Sequence, residues 1–436
     1  MSKVRPNRTS GMSTKNALVF VTQPTNKNSI AVLAGVVEGR EDLALSLLFL
    51  RDDPSLHIRL QECLHEYERV VIAFSFCTPA AGHVAHLVGQ LRALAAESHC
   101  PVFWVAGGPH PSGAPEATLR MGFDVVVVGE AEETFPALLR HLIDGRDYSQ
   151  VKGLAFLRDG ELIRTGRAPP VIPLDNYPPF APLHRRFGPI EITRGCPFAC
   201  RFCQTSFLFG GQPRHRSPEV VAEWARVAQS HGIPFMRFVA PNALSYGSPD
   251  GREINLAAVK TLLTKVGAVM GRERVYLGSF PSEVRPETVT HEAIRLIKRL
   301  AGNRNISIGA QSGSQRILDA MHRGHTVDDV HRACHIVLHH GLLPNVDIIF
   351  GMPGETETDR QLTIRMIESL AKVGAVVRTH VFVPLAGTPL AGAAPGTIDA
   401  QTDSLLGRLA RVGQQHGARA KMRLCCRGTS DSERRG

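Results

Sequence analysis

Three cysteines, Cys196, Cys200 and Cys203, stand at C-x3-C-x2-C spacing in the stretch Glu191-Ile-Thr-Arg-Gly-Cys-Pro-Phe-Ala-Cys-Arg-Phe-Cys203. Thiolates are the ligands of soft transition metals, and three on one short loop can reach three corners of an iron–sulfur cube. Three ligands for four irons leave one iron open, and that open iron is the chemical point of the arrangement. Gly195 lets the backbone approach closely before the first thiol, and Pro197 stiffens the loop after it. The same thiols suit zinc, which normally takes a fourth Cys or His; His215 and Cys334 are the available candidates, and neither is adjacent.

Such a loop needs a strand to present it. Pro189–Thr193 reads as that strand, and a β/α alternation follows it. Further strands are expected at 235–240, 274–279, 306–310, 345–350 and 379–383, with helices between them such as 218–230, 254–270, 286–300 and 357–373. About six β/α units give a partial or complete parallel barrel with its active site at the C-terminal ends of the strands. A separate alternation occupies the first third of the chain. The runs 17–23, 70–77, 101–107 and 123–129 are short and apolar, as in strands buried on both faces of a parallel sheet, with helices at 80–98, 115–121 and 132–143. The fold class expected is therefore α/β: an N-terminal doubly wound parallel, Rossmann-like domain at 17–150, then a partial (β/α)6 barrel at 188–395. Between them, 151–187 reads as a hairpin around Asp159-Gly160 followed by a proline-rich linker. Residues 1–16 read as a basic flexible N-terminus, and 396–436 as a helical stretch, 403–415, with a basic tail.

The net charge of +10 does not mark a nucleic-acid face. Four basic residues and no acid lie in residues 1–16, and eight basic residues against three acids in 401–436, so the body between is close to neutral. No apolar run approaches the ~18 residues of a membrane span, and the first 16 residues lack the apolar core of a signal peptide. A cytoplasmic location is expected. Nine cysteines in a reducing compartment read as ligands or buried thiols; Cys425-Cys426 reads as mobile tail thiols or an extra redox pair.

The triad, with Phe202 before its last cysteine, resembles the motif of the radical S-adenosylmethionine (SAM) superfamily. The resemblance covers 189–390. It implies a 4Fe-4S cluster on Cys196, Cys200 and Cys203 whose open iron binds the amino and carboxylate groups of SAM, and an external electron donor of flavodoxin or ferredoxin type. SAM contacts are then expected at Phe202, at Asn242 in Ala240-Pro-Asn242, and at Ser279. Gln311 and Ser312 in Gln311-Ser-Gly-Ser314, Arg323, and Gly351 and Pro353 in Gly351-Met-Pro-Gly-Glu355 complete the set. Asn242 stands where the family commonly has Gly-Gly-Glu. Taken singly, each is as readily a turn or cap residue.

Gly107-Gly-Pro-His110 and Val127-Val-Gly-Glu-Ala-Glu132 end two strands of the first domain, without a G-x-G-x-x-G fingerprint. Together with Ser75 and Thr78 they resemble the cobalamin-binding domain that precedes many radical SAM barrels. That resemblance assigns cobalamin to Ser75, Thr78, Gly107, Gly108, His110, Gly129 and Glu130. The loop Pro24–Asn28 lacks the histidine that ligates cobalt from below in related domains, so a water-bound, empty or merely shielded lower face is expected.

Both cofactors together imply C-methylation of an unactivated carbon in a peptide, a protein or a small molecule. One SAM would methylate cobalamin, and a second would yield the radical that activates the substrate to capture that methyl. The stretch 237–247 resembles a subgroup of which one branch looks like enzymes that C-methylate a protein glutamine. The rivals are a cobalamin-dependent rearrangement, cyclisation or oxidation, a methylthiotransferase with a second cluster on Cys63, Cys77 and Cys100, and a non-enzymatic cobalamin sensor. No membrane or nucleic-acid partner is expected, and residues 395–436 read as too short for a small RNA-binding β-barrel.

Overall fold

The computed structural model describes residues 15–168 and 170–417; the expectations for the N-terminus, for the end of the tail and for Cys425-Cys426 lie outside them. Five parallel strands form the first layer: β1 (Asn16–Thr22), β2 (Leu45–Arg51), β3 (Arg69–Ser75), β4 (Val102–Gly107) and β5 (Val125–Val127), in the order β2-β1-β3-β4-β5. Helices α1 (Lys27–Val37), α2 (Leu56–Glu66), α3 (Ala81–Ala96), α4 (Pro109–Gly113), α5 (Pro115–Arg120) and α6 (Thr134–Asp144) connect and flank them. Valines and isoleucines alternate between two cores. Val19, Val70 and Ile72 pack with Leu60 and Leu87 on one face, and Leu18, Phe20 and Val71 with Ile30 and Leu138 on the other. Strand order reverses between β1 and β3, which opens a crevice at their carboxyl ends.

The hairpin β6 (Leu154–Arg158) and β7 (Glu161–Arg164) belongs to this sheet and not to the linker, because β6 pairs antiparallel with β5 and buries Leu154, Ala155 and Phe156 in the two cores. The prolines that follow do form a connector. It is packed, with Phe180 wedged between Phe187 and Trp224.

The second unit begins with β8 (Ile190–Glu191) and β9 (Thr193–Arg194), then α7 (Thr205–Phe209), β10 (Arg214–His215), α8 (Pro218–Ser230), β11 (Met236–Val239), α9 (Leu256–Met270) and β12 (Val275–Tyr276). It continues through α10 (His291–Leu300), β13 (Asn305–Gln311), α11 (Gln315–Ala320), α12 (Val327–His339), β14 (Leu343–Phe350), α13 (Glu357–Lys372), β15 (Val376–Val381), α14 (Ala400–Arg411) and β16 (Gln415–Gly417). Strands β8, β11 and β12 form one parallel sheet and β13 to β16 another, joined through a parallel bridge from Val284 to Ile308. The result is a partial barrel. It extends past residue 395, since β16 pairs with β15; a Gln-His-Gly strand carries no apolar signal. Helix starts are set locally: Thr326 with Asp329, and Thr356 with Asp359, form capping boxes for α12 and α13. Val346, Ile348 and Phe350 of β14 face the helices, while Asp347 and Ile349 between them line a central cavity. No helix among the described residues is long and apolar enough to cross a membrane.

The two units meet backbone to backbone. A Cβ on Gly113 of α4 would stand 2.3 Å from the Ala386 carbonyl, and one on Gly387 would stand 2.9 Å from the Gly113 Cα. Gly113→Ala is expected to cost about 1–3 kcal/mol by overpacking this contact. Gly89→Ala, mid-way along α3 with nothing within 4 Å, should instead add about 0.5–1 kcal/mol through helix propensity. Urea unfolding of both measures the contrast, and a neutral Gly113→Ala would refute the tight contact.

Candidate active site

The cysteine loop is a long excursion closed at its base by the antiparallel pair β9–β10, with Arg194 opposite Arg214 and Thr193 opposite His215. Gly195 has φ +90°, and a Cβ there would meet the Gln212 carbonyl at 2.4 Å, so the first turn of the loop requires glycine. Ser206 ties the loop together by donating to the Cys196 carbonyl (2.7 Å) and accepting from the Ala199 N–H (3.1 Å). Ala199 itself sits at φ +48°, a strained position for a residue with a Cβ and one that the sequence does not advertise.

Cys196, Cys200 and Cys203 all open onto one cavity of about 250 Å³, together with Phe202. The barrel supplies its opposite walls, and these walls are charged. Arg285, Arg323, Glu283, Asp347, His380 and Gln311 all line the cavity. Arg323 points Nη1 at the Cys200 sulfur (3.5 Å) and donates Nη2 to the Gly309 carbonyl (2.5 Å). Packing around Glu283, and then the neighbouring Asp347 carboxylate, push its carboxyl up to about 7, although 38% of the side chain opens onto the cavity. Asp347 goes the other way. Burial alone would raise it, but hydrogen bonds from His380 and Arg378 hold it below the ordinary carboxylate value. A Cβ on Gly309 would stand 2.6 Å from Glu283 Oε2, 2.9 Å from Gln311 Nε2 and 3.1 Å from Arg323 Nη2, so this glycine makes room for the polar wall.

Of the SAM contacts expected from the sequence, Phe202, Gln311 and Arg323 reach the cavity. The others stand behind it. Asn242 is buried, donating to Ser245 (2.6 Å) and accepting from the Arg285 N–H (3.3 Å). Ser312 is fully buried against Thr363 and caps the turn at Ser314. The Gly351 N–H bonds the Glu355 carboxylate (2.8 Å), its Cα lies against Gly396, and Pro353 sits in the same turn. Ser279 is buried, and its Oγ finds no partner among the described residues. Glu283, Arg285, Asp347 and His380 were not anticipated. A carboxylate within the apolar run 345–350 was the available signal for Asp347, since buried charges are rare unless they are paired.

At the switch point of the first sheet, Ser29 and Ser75 share a 2.8 Å hydrogen bond. Gly129 is open, with nothing within 4 Å of its missing Cβ, and Gly107 has only ordinary contacts at 3.8 Å. Gly108 differs: it has φ +91°, and a Cβ would meet Ser75 Oγ at 2.6 Å, so packing explains it. His110 stacks on Phe76 and bonds Thr78 Oγ1 through Nδ1 (3.2 Å), while its buried Nε2 lacks a partner and burial holds its pKa below the ordinary value. Glu130 has partners other than those expected: Oε2 accepts from Arg194, Arg214 (both 2.8 Å) and the Val171 N–H (3.1 Å). Cys77 follows the carboxyl end of β3 whereas Cys100 precedes the amino end of the parallel β4, roughly 20 Å away along the strands, so the two cannot share a cluster. Cys63 is buried in α2.

Residues 190–367 match the family model of the radical SAM superfamily, and residues 22–139 that of the B12 binding domain. The chain carries a radical SAM domain and, before it, a B12-binding domain. An uncharacterized methyltransferase of Pyrococcus horikoshii is 28% identical over 283 residues, 62% of this chain and 58% of that protein. The tRNA-2-methylthio-N(6)-dimethylallyladenosine synthase of Moorella thermoacetica is 32% identical over 210 residues, 46% and 44% of the two chains. The chain thus spans about half the length of these curated relatives. In fold it is similar to the radical SAM methyltransferase TsrM of Kitasatospora setae, solved with cobalamin and a [4Fe-4S] cluster: TM-score 0.65, 18% identity, covering 87% of this chain and 74% of that one.

The residues of this radical SAM chain fit the groups its family uses. Three thiols on one cavity wall suit a cluster with an open iron. In the same cavity, cations and carboxylates suit a zwitterion with an ammonium and a carboxylate. On the first domain, the open space at Gly129, together with Asn28 Oδ1 and His110 Nε2, which have no partner among the described residues, suits a polar ligand; all three residues follow carboxyl ends of strands.

His325 shapes this charge balance. It is buried beside Arg323 and Arg285, with Nε2 3.1 Å from the Ala310 carbonyl; burial and then the two cations push its pKa down to about 3. The unfolded chain protonates this histidine below about pH 6.5 and the folded chain does not. Its contribution to stability is therefore complete above pH 6.5 and falls by about 1.4 kcal/mol for each unit below it. Unfolding of the cluster-free chain between pH 5 and 7 should show that slope flattened in His325→Gln. Equal slopes would mean the imidazole is charged or exposed.

Proposed function

We propose that this chain is a cobalamin-dependent radical SAM methyltransferase that methylates an unactivated carbon of a peptide, a protein or a small molecule. The observation that carries the reading is the facing of the two sites. Gln204, next to Cys203, donates one amide to both the Pro109 carbonyl of the B12-binding domain (3.0 Å) and the Ala386 carbonyl of the barrel (2.7 Å). The likeness to a methyltransferase supports it. When bound, the cluster supplies the electron that cleaves SAM, and cobalamin supplies a transferable methyl group.

The chain's own residues do the rest. Cys196, Cys200 and Cys203 hold the cluster; Glu283, Arg323 and Asp347 hold and orient SAM by charge, and Gln311 by hydrogen bonding. Asn28, Ser29, Ser75, Gly107, Gly129 and His110 line the cobalamin edge. Residues 24–28 hold no histidine that would ligate cobalt. We place the protein in the cytoplasm, in keeping with its free thiols, and assign it an electron donor of flavodoxin or ferredoxin type. The separation of Cys77 from Cys100 speaks against a methylthiotransferase with a second cluster.

Anaerobic reconstitution with iron, sulfide and cobalamin, then reduction in the presence of SAM, tests this. S-adenosylhomocysteine and 5′-deoxyadenosine should both form, with about four irons per chain, and Cys196→Ala should lose the deoxyadenosine. Deoxyadenosine alone, with cobalamin bound, would favour rearrangement, cyclisation or oxidation. Gly309→Ala should weaken SAM binding at least tenfold by titration calorimetry while the far-ultraviolet dichroism stays unchanged; native affinity would remove the polar wall from the SAM site.

A further inference from the structure

Between the two domains lies a buried knot of charge that the reading above does not use. Arg194, 8% exposed, donates Nη1 to Glu130 (2.8 Å), Nη2 to Glu132 (2.6 Å), and Nε and Nη2 to Glu191 (3.1 and 2.6 Å). Its strand partner Arg214 also holds Glu130 and donates to the carbonyls of Val171 (3.0 Å) and Phe209 (3.0 Å). Arg216, buried next to them, donates to the carbonyl of Tyr177 (2.7 Å). Three guanidinium groups thus offset the carboxylates of Glu130, Glu132 and Glu191. Burial by itself would raise Glu130, but Arg214 and Arg194 hold its carboxyl below the ordinary value.

The position of the knot gives it a role. Arg194 and Arg214 are the pair that closes the base of the cysteine loop, and Cys196 follows Arg194 by two residues. A two-residue antiparallel pair standing apart from the main sheets has little stability of its own. Glu130 and Glu132 come from the other domain, in its Gly-Glu-x-Glu segment. Glu130 Oε2 already accepts three N–H donors, which leaves that oxygen no capacity for a ligand.

We propose that Arg194 is a positioning residue: through Glu130 and Glu132 it fastens the base of the cysteine loop to the B12-binding domain, so these two carboxylates set where the cluster stands and do not hold cobalamin. The inference rests on the triad as cluster ligands but not on the reaction performed.

Hydrogen exchange of the full-length chain, read at residues 195–213, tests it in Glu130→Gln, Glu132→Gln and Arg194→Lys. Aquacobalamin affinity by absorbance titration and the SAM-induced change in the electron paramagnetic resonance of the reduced cluster are read alongside. Glu130→Gln should speed exchange in the loop at least tenfold and alter the SAM-induced signal, with iron content kept and cobalamin affinity within twofold of wild type. The double variant Glu130→Gln/Arg194→Lys should fall short of the sum of the two single effects, because both cut the Arg194–Glu130 bond. Glu132→Gln removes a single bond and serves if either of the others fails to fold. Unchanged loop exchange with cobalamin affinity weakened tenfold or more would overturn the proposal and return Glu130 to the cofactor. If the wild-type chain binds no cobalamin, the methyltransferase reading falls while the exchange measurement still decides the role of Arg194.

Discussion

A guanidinium taken out of water needs acceptors, and the structure turns on Arg194, whose carboxylate acceptors come from two domains. Arg194 has Glu191 three residues before it on its own chain segment, but Glu130 and Glu132 lie on the far side of a linker. Removing either side would leave buried charge unpaired, which costs several kcal/mol, whereas separating the domains intact would expose all of it to water at once. Domain docking and order at the base of the cysteine loop are therefore one equilibrium. The rest of the interface is consistent with a fixed approach, since Gly113 against Ala386 and Gly387 admits no side chain between the backbones.

Both halves are α/β units whose strands end at the shared face, which follows from parallel topology. In such sheets the loops after the carboxyl ends are free of crossover helices, so ligands gather there. Setting two of these edges face to face lets a loop from one reach groups on the other. Gln204 does so with a single side-chain amide, and Thr78 does so in the opposite direction by accepting from the Ala386 N–H (3.3 Å).

Much of this was legible in the residues, and the parts that were not share a cause. The triad declared itself by spacing, and the buried strands by unbroken apolar runs such as 70–74. β2 hid because Leu45–Arg51 is only half-buried, on the outer edge of the sheet, and its leucines suit a helix as well. β16 hid because three polar residues carry no period. The glycines misled in a more instructive way. Gly107, Gly108 and Gly129 look alike as strand-end glycines, yet Gly129 faces open space and Gly108 is held against Ser75. Glu130 and Arg194 were each in view within a motif, but their pairing spans 64 residues and belongs to the tertiary fold alone.

The charges around the triad are balanced within one cavity. Arg323, directly on the Cys200 sulfur, and Glu283 both stand against Gly309, while Asp347 is backed by Arg378 (2.6 Å) and His380. A ligand with an ammonium and a carboxylate on one carbon therefore finds partners of both signs there. His325 adds no third cation beside Arg323 and Arg285, because burial and those two charges keep the imidazole neutral at neutral pH. The polar wall fits only because Gly309 contributes no side chain, so a residue with no chemistry of its own decides whether the charged groups beside it can converge.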